Sequence, residues 1–277
     1  WSTTHQPTLQ SSRAYEAIFS DAKAEFRRRD HDIDCTTEIS VPAEDDVELR
    51  RITLVNRSAV PRVIELTTCG EMVMGSGDAD LAHQAFASLG VTTNFIVAEE
   101  TLLIRRRPRR SDERNPVALH VMTVHGAEHS TASVETDRGR FIGRGRTLRS
   151  PAALDHAGPL SGSTGTVLDA IAALRRRILL MPDMPVVIEV VWGIAANEEA
   201  ALVLARRYRD RAMTERVAGL AWNHARLLLH QLGVDADLAQ AASRLSGMLI
   251  GHSATRRAPA GVVALSRRPR SALWSHG

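Results

Sequence analysis

The nine residues "IDCTTEISV" set Ile33, Cys35, Thr37, Ile39 and Val41 on one face of an extended chain and Asp34, Thr36, Glu38 and Ser40 on the other. That two-residue period belongs to a half-buried strand, and its recurrence constrains the fold more than anything else in the chain. "PAEDD" turns the backbone and "VELRRITLV" takes up the pattern again, with the Arg50-Arg51 doublet shifting its phase as a bulge would. "NRSAVP" makes a second turn and "RVIELTT" a third strand, so residues 33–68 read as a meander. Further strand-like runs lie at 94–105, 117–124, 132–136 and 185–195. Short β runs between turn signals at this frequency point to a large antiparallel β-sandwich.

Two segments interrupt that reading. "ADLAHQAFASL", Ala79 to Leu89, suits a short inserted helix. "VLDAIAALRRRILL" fits a helix by the spacing of Val167, Leu168, Ile171, Leu174 and Ile178, and strands by its neighbouring proline and the β run after it. The character changes at Asn197. "NEEAALVLARRYRDRAM" opens with an N-capping Asn and two Glu where the helix dipole favours anions, and Leu202, Ala205, Tyr208 and Ala212 form its apolar stripe. A second helix, "ERVAGLAWNHARLLLHQLG", stops at Gly233, and a third, "DADLAQAASRLSGMLIG", is capped by Asp235. The expected organisation is a sandwich over 1–196, a helical linker over 197–252, and at 253–277 the start of a further domain. The overall class is mainly β, α+β by its helical tail.

With 277 residues, 44% of them apolar, the chain can bury a sizeable core. Its basic isoelectric point, near 9.4, accompanies a net charge of only +3, and Lys23 is the sole lysine. Such an arginine skew beside many alanines reads as coding bias rather than as a nucleic-acid surface. Cys35 and Cys69 cannot build a disulfide framework and match no metal spacing, so they read as buried apolar residues in a reducing compartment. No apolar run reaches the roughly 18 residues of a membrane span, and residues 186–191 are broken by Glu189. The start carries no secretory pattern. These features suggest a cytoplasmic location and no membrane contact by this segment. A chain running from Trp1 to "SALWSHG" reads as a cut from a longer polypeptide.

Four motifs were weighed for chemistry. "HGAEH", His125 to His129, has the H-x-x-E-H order of some zinc peptidases, but Gly126 and the flanking strand favour a hairpin turn. "GDAD", Gly77 to Asp80, holds the Asp-x-Asp of divalent-cation sites, and equally a polar loop capping the next helix. "RRRPRRSDER", Arg105 to Arg114, is cationic, but lacks interleaved aromatics for base stacking and contains Asp112 and Glu113. "ETDRGRFIGRGRTL", Glu135 to Leu148, fails both phosphate-loop templates. Two readings of it stay open. Phe141 can stack on a sugar face beside Asp137, Arg138 and Arg144, or Arg138, Arg140, Arg144 and Arg146 form one polar face of a strand. No metal or other cofactor is implied.

The order of segments resembles a known family. "YEAIFSDAKAEFRRRDHDIDCTTEISVPAEDDVELRRITLVNRS", "ADLAHQAF", "LLIRRRPRR", "ETDRGRFIGRGRTLRSP" and a final "LW" are similar to the region preceding the catalytic barrel in cyclic β-1,2-glucan synthases, of the glycoside hydrolase family 94 phosphorylases, formerly glycosyltransferase family 36. Ala170 in "LDAI" and Gln84 in "HQAF" depart from prolines of the family pattern. The resemblance implies a large β-sandwich, a helical linker and an (α/α)6 barrel of which only the start is present. In the family the barrel supplies a single Asp as general acid while inorganic phosphate attacks with inversion. One acid suffices because phosphate arrives already anionic, whereas water needs a second carboxylate to activate it. That Asp falls beyond Gly277, so no catalytic residue is assigned. Trp274 and His276 stand nearest the barrel's sugar pocket by sequence.

The resemblance makes the chain a non-catalytic part of a carbohydrate-active enzyme, whose parent is anchored in the inner membrane. Its partners are a β-glucan or other saccharide and the remaining barrel, with a homodimer as a further expected state, because helical stripes such as Leu227–Leu229 and Met248–Ile250 leave apolar patches. The competing reading is a stand-alone arginine-rich module for anionic polymers.

Overall fold

The computed structural model describes residues 1–20, 22–75, 88–108, 115–250 and 261. Its strands are β1 (Ala14–Phe19), β2 (Ala24–Asp30), β3 (Ile33–Ser40), β4 (Val47–Asn56), β5 (Arg62–Glu71), β6 (Val91–Ile96), β7 (Thr101–Arg106), β8 (Val117–His125), β9 (Ser133–Asp137), β10 (Gly165–Thr166), β11 (Ala170–Leu180) and β12 (Pro185–Ala195). The helices are α1 (Arg138–Ile142), α2 (Glu198–Arg207), α3 (Arg211–Gln231) and α4 (Ala236–Ile250). Nine strands make one sheet, in the order β1-β2-β3-β4-β12-β8-β7-β6-β10, and β5-β11-β9 make a second. Every ladder is antiparallel. The molecule is thus mainly β, an antiparallel sandwich followed by helices.

The large sheet is buried on both faces along its centre. Towards the small sheet, Ile33, Leu54, Leu102, Met122 and Ile188 meet Ala172, Leu174, Ile178 and Leu180. On the opposite face, Leu49, Leu103, Leu119 and Val191 take Ala201, Ala205 and Tyr208 of α2 and Val217 of α3. This double burial explains the Arg50-Arg51 phase change. β4 pairs in unbroken register with β3 and with β12, so no bulge is present. Val47 and Leu49 instead serve the helical face at one end of the strand, while Ile52 and Leu54 serve the inter-sheet face at the other.

Other expectations are refined by the structure. β3 buries Ile33, Cys35 and Thr37 as its alternation required, whereas Val41 lies past the strand end and is exposed. The run at 94–105 is two strands, because a 3-10 turn at Val97–Glu99 closes on Glu100 in the left-handed region, φ 40°. The ambiguous run at 167–180 is β11, the central strand of the small sheet. β1 is exposed along its length, and β2 turns the charged Arg28 and Asp30 to the inter-sheet face while Glu25 is buried on the opposite one, so neither strand carries an apolar alternation. The signal available was the turn, since His31 and Asp32, at φ 48° and 59°, make the two-residue loop joining β2 to β3.

Asn197 caps α2 as expected, its side chain accepting from Ala200 N–H. The helix ends earlier than its periodicity suggested. Asp210 accepts the Ala212 N–H at 2.9 Å and restarts the chain as α3, which leaves Ala212 exposed. Asp235 caps α4 through Leu238 N–H. Residues 1–224 form one compact unit and residues 225–277 a second. The helix expected over 79–89 lies, but for its last two residues, outside the described residues, as do Gly77–Asp80, residues 109–114, Trp274, His276 and all but one of residues 253–277.

Candidate functional site: a cavity between the sheets

The segment Glu135 to Leu148 leaves the small sheet at its β9 edge. Glu135 is 2% exposed. Its Oε1 accepts the backbone N–H groups of Thr136 and Asp137 at 2.9 Å each, and its Oε2 accepts the Ser161 hydroxyl. Asp137 then caps a short helix, accepting Arg140 N–H at 3.2 Å. A strand with four arginines on one face is therefore not what forms: from Arg138 the chain is helical, and the side chains fan out. Arg138 pairs with Glu71 at 2.8 Å, which raises its pKa. Arg140 bonds the Ser163 hydroxyl, and Arg146 pairs with Asp155. Arg144 stands exposed in the loop after the helix.

Phe141 points the other way. It is 2% exposed and packs with Ile142, Leu160, Ile171 and Ala173. Gly143, at φ +85°, lets the chain double back so closely that an added Cβ would meet Ala152 Cβ at 2.7 Å. By this turn Phe141, Leu148 and Leu154 come to line one side of a cavity of about 460 Å³ that runs from the gap between the two sheets around the free edge of β5 to its outer face. That size falls within the range of small-ligand sites, about 300–1,000 Å³.

The remaining walls come from distant parts of the chain. Thr37, Arg50 and Trp192 are contributed by the large sheet, and Glu65, Thr67 and Thr68 by β5, while residues 1–8 close the remaining side with Trp1. Arg28 holds that covering segment. Its guanidinium is fixed by Asp30 at 2.5 and 3.0 Å, donates to the Thr4 carbonyl at 2.6 Å and lies 5.6 Å from the centre of the Trp1 ring. The charged, inward-facing β2 thus anchors the cover of the cavity.

Behind Trp192 lies a buried histidine. The rings of His120 and Trp192 stack at 3.6 Å with 7° between their planes. His120 Nδ1 is 3.0 Å from the Val191 carbonyl, which can only accept, so Nδ1 carries the proton and Nε2 accepts from the Thr68 hydroxyl at 2.7 Å. Thr68 in turn accepts Leu174 N–H at 3.2 Å. Complete burial pushes the His120 pKa down to about 3, so the ring is neutral. It ties the large sheet to β5 and fixes the plane of the cavity's indole. Burial also lifts the cavity-lining Cys69 thiol to about 11 and Cys35 to about 12, which leaves both unreactive.

Of the residues singled out from sequence, Phe141 lines this cavity, whereas Asp137, Arg138 and Arg144 do not: Asp137 caps α1, Arg138 pairs with Glu71, and Arg144 stands exposed on the loop after α1. The buried Phe141 is part of a wall, not the exposed stacking platform expected of it. Trp1, Arg50, Thr68, His120 and Trp192 were not recognised. The available signal was Trp192, a single aromatic in the β-branched run "PVVIEVVW", at a position facing the small sheet. His125 ends β8 and residues 126–128 turn the chain, but β8 lies in the large sheet and β9 in the small one, so "HGAEH" carries a crossover between sheets rather than the hairpin expected of it. Arg105 pairs with Glu198, tying β7 to α2.

The model of the glycosyl hydrolase 94 supersandwich domain matches residues 1–211. The cyclic beta-(1,2)-glucan synthase NdvB of Rhizobium meliloti (strain 1021) is 30% identical over 275 residues, which is 99% of this chain and 10% of that protein. The chain therefore spans about a tenth of the length of the curated relative it matches. Among solved structures, a bacterial glucoamylase complexed with acarbose superposes with a TM-score of 0.45 at 9% identity, over 76% of this chain and 28% of the other. A putative kojibiose phosphorylase from the human microbiome gives 0.36 at 10% identity, over 75% and 23%.

Proposed function

The chain belongs to the glycosyl hydrolase 94 supersandwich family, and from that premise we propose that it is a non-catalytic, carbohydrate-binding part of a larger glucan-processing enzyme. In this reading the cavity between the sheets receives a saccharide, and the loops around α1 shape the mouth of a catalytic barrel supplied by the rest of the protein. The sandwich would occupy 1–196, the linker 197–252 and the start of the barrel 253–277. The observation that carries the reading is the composition of the cavity. Two indoles, Trp1 and Trp192, offer flat apolar surfaces, and Arg50 and the Thr37 hydroxyl share the large-sheet wall with Trp192. Sugar rings need this combination, an apolar face to cover and polar groups at their edges.

The competing reading, a surface for anionic polymers, is poorly served. Arg138, Arg140 and Arg146, around α1, are each held by a local carboxylate or hydroxyl, and Arg50 on the cavity wall is held by Glu48. Calorimetric titration with linear β-1,2-glucan, at low and at high salt, separates the two. The saccharide reading expects binding that survives high salt and weakens several-fold in Trp1→Ala. Binding that collapses with salt, as phosphate-type contacts do, would favour the polymer reading, and no binding at either salt would remove the saccharide.

A further inference from the structure

On the face of the large sheet turned away from the cavity, three buried polar atoms have no hydrogen-bond partner among the described residues: Thr123 Oγ1, His125 Nε2 and Glu189 Oε2. The sheet register brings them together. Glu189 of β12 stands directly opposite Thr123 of β8, and His125 follows two residues later on the same face. Opposite Cβ atoms in such a ladder are about 4.5–5.5 Å apart and diagonal ones about 7–8 Å. Glu189 is fully buried, and its other oxygen is already occupied: Oε1 accepts Arg51 Nε–H at 2.9 Å and the Thr214 hydroxyl at 3.0 Å. Thr214 belongs to α3, so this cluster is where that helix is fastened to the sheet.

A buried carboxylate oxygen without a donor is costly, and three such polar atoms around one point define the ligand that would satisfy them. It must donate to Glu189 Oε2, accept the Thr123 hydroxyl proton, and offer a second donor to the His125 ring nitrogen. It must also be no larger than the gap between adjacent side chains. A cation fits the two acceptors but not the field, because Arg51 already bonds the same carboxylate and Arg211 bears on His125 with the same sign. Of the remaining charges near this joint, Glu215 is engaged by Arg211 at 2.8 Å, and His129 lies beyond the turn that follows His125. We infer that the joint between β8, β12 and α3 is a binding site for one internal water molecule, which bridges Thr123, His125 and Glu189 and completes the attachment of α3 to the sheet. Three partners is the usual complement of a buried water.

The site gives His125 of the H-x-x-E-H motif a role without metal, and this makes it testable. A crystal structure at a resolution that orders solvent should show one water-strength peak within hydrogen-bond distance of Glu189 Oε2 and Thr123 Oγ1, unchanged after treatment with a chelator. In Thr123→Val, which keeps the shape of the side chain, amides of α3 around Thr214 should exchange several-fold faster than in the wild type. An electron-dense peak removed by chelator would make the site a cation site and overturn the inference. So would a wild-type structure in which the three side chains bond one another directly with no peak between them. Unchanged exchange in Thr123→Val would likewise contradict the role in fastening α3.

Discussion

His120 and Gly70 decide how the two sheets meet. Gly70 of β5 lies against the Trp192 indole so closely that an added Cβ would sit 2.7 Å from Cη2. Gly70→Ala is expected to cost about 1–3 kcal/mol, the range for overpacking a filled interior, read as a lowered midpoint in denaturant unfolding. His120 makes a pH prediction whose sign follows from its burial. The folded ring titrates near 3 and the unfolded one near 6.5, so between those values the unfolded chain binds a proton that the folded ring refuses. Stability is fully present above pH 6.5 and is lost as pH falls, by at most about 1.4 kcal/mol per pH unit. Comparing pH 7 with pH 5 separates the buried histidines, His125 among them because burial lowers its pKa too, from the paired carboxylates, whose pKa values are held below the usual carboxylate range. In His120→Gln the loss between pH 7 and pH 5 should shrink, and an unchanged loss would assign the acid sensitivity to other groups.

At the scale of elements, β12 and the restart of the helix at Asp210 hold the sandwich and its helices together. Arg51 is 18% exposed at its side chain and Glu189 0%. Removing one member of such a pair strands the other, so Arg51→Met should cost about 3–5 kcal/mol, and adding Glu189→Leu should recover much of it. A double variant no more stable than Arg51→Met alone would show that the pair is not the joint. Which elements could be read from sequence follows from what they bury. β3 and β12 were legible because their inward residues are mostly apolar, whereas β2 was not, because it faces inward with Arg28 and Asp30. β4 misled because its two ends bury opposite faces, an effect of having helices on one side and a sheet on the other. The cavity was legible only at Phe141. Its other walls come from positions 1, 37, 50, 65–68 and 192, which no local spacing relates.

For the whole molecule, the supersandwich fold and the family follow from residues 1–211 and from identity along almost the full chain. Among the described residues no helix is long and apolar enough to cross a membrane. Leu227, Leu228, Leu245 and Ile250 are all at least 47% exposed, a set of apolar side chains that a larger enzyme would cover. If such a covering is needed, the isolated chain should scatter light as a species heavier than its 30.3 kDa monomer, and a monodisperse monomer would argue against it.

The most direct test of the central claim is a crystal structure of this chain with a short linear β-1,2-glucan. The account predicts a glucosyl ring in the cavity, its apolar face against Trp1 or Trp192 and its hydroxyls towards Arg50 and Thr37. Saccharide found only outside that cavity, or none at concentrations that saturate binding in solution, would contradict it.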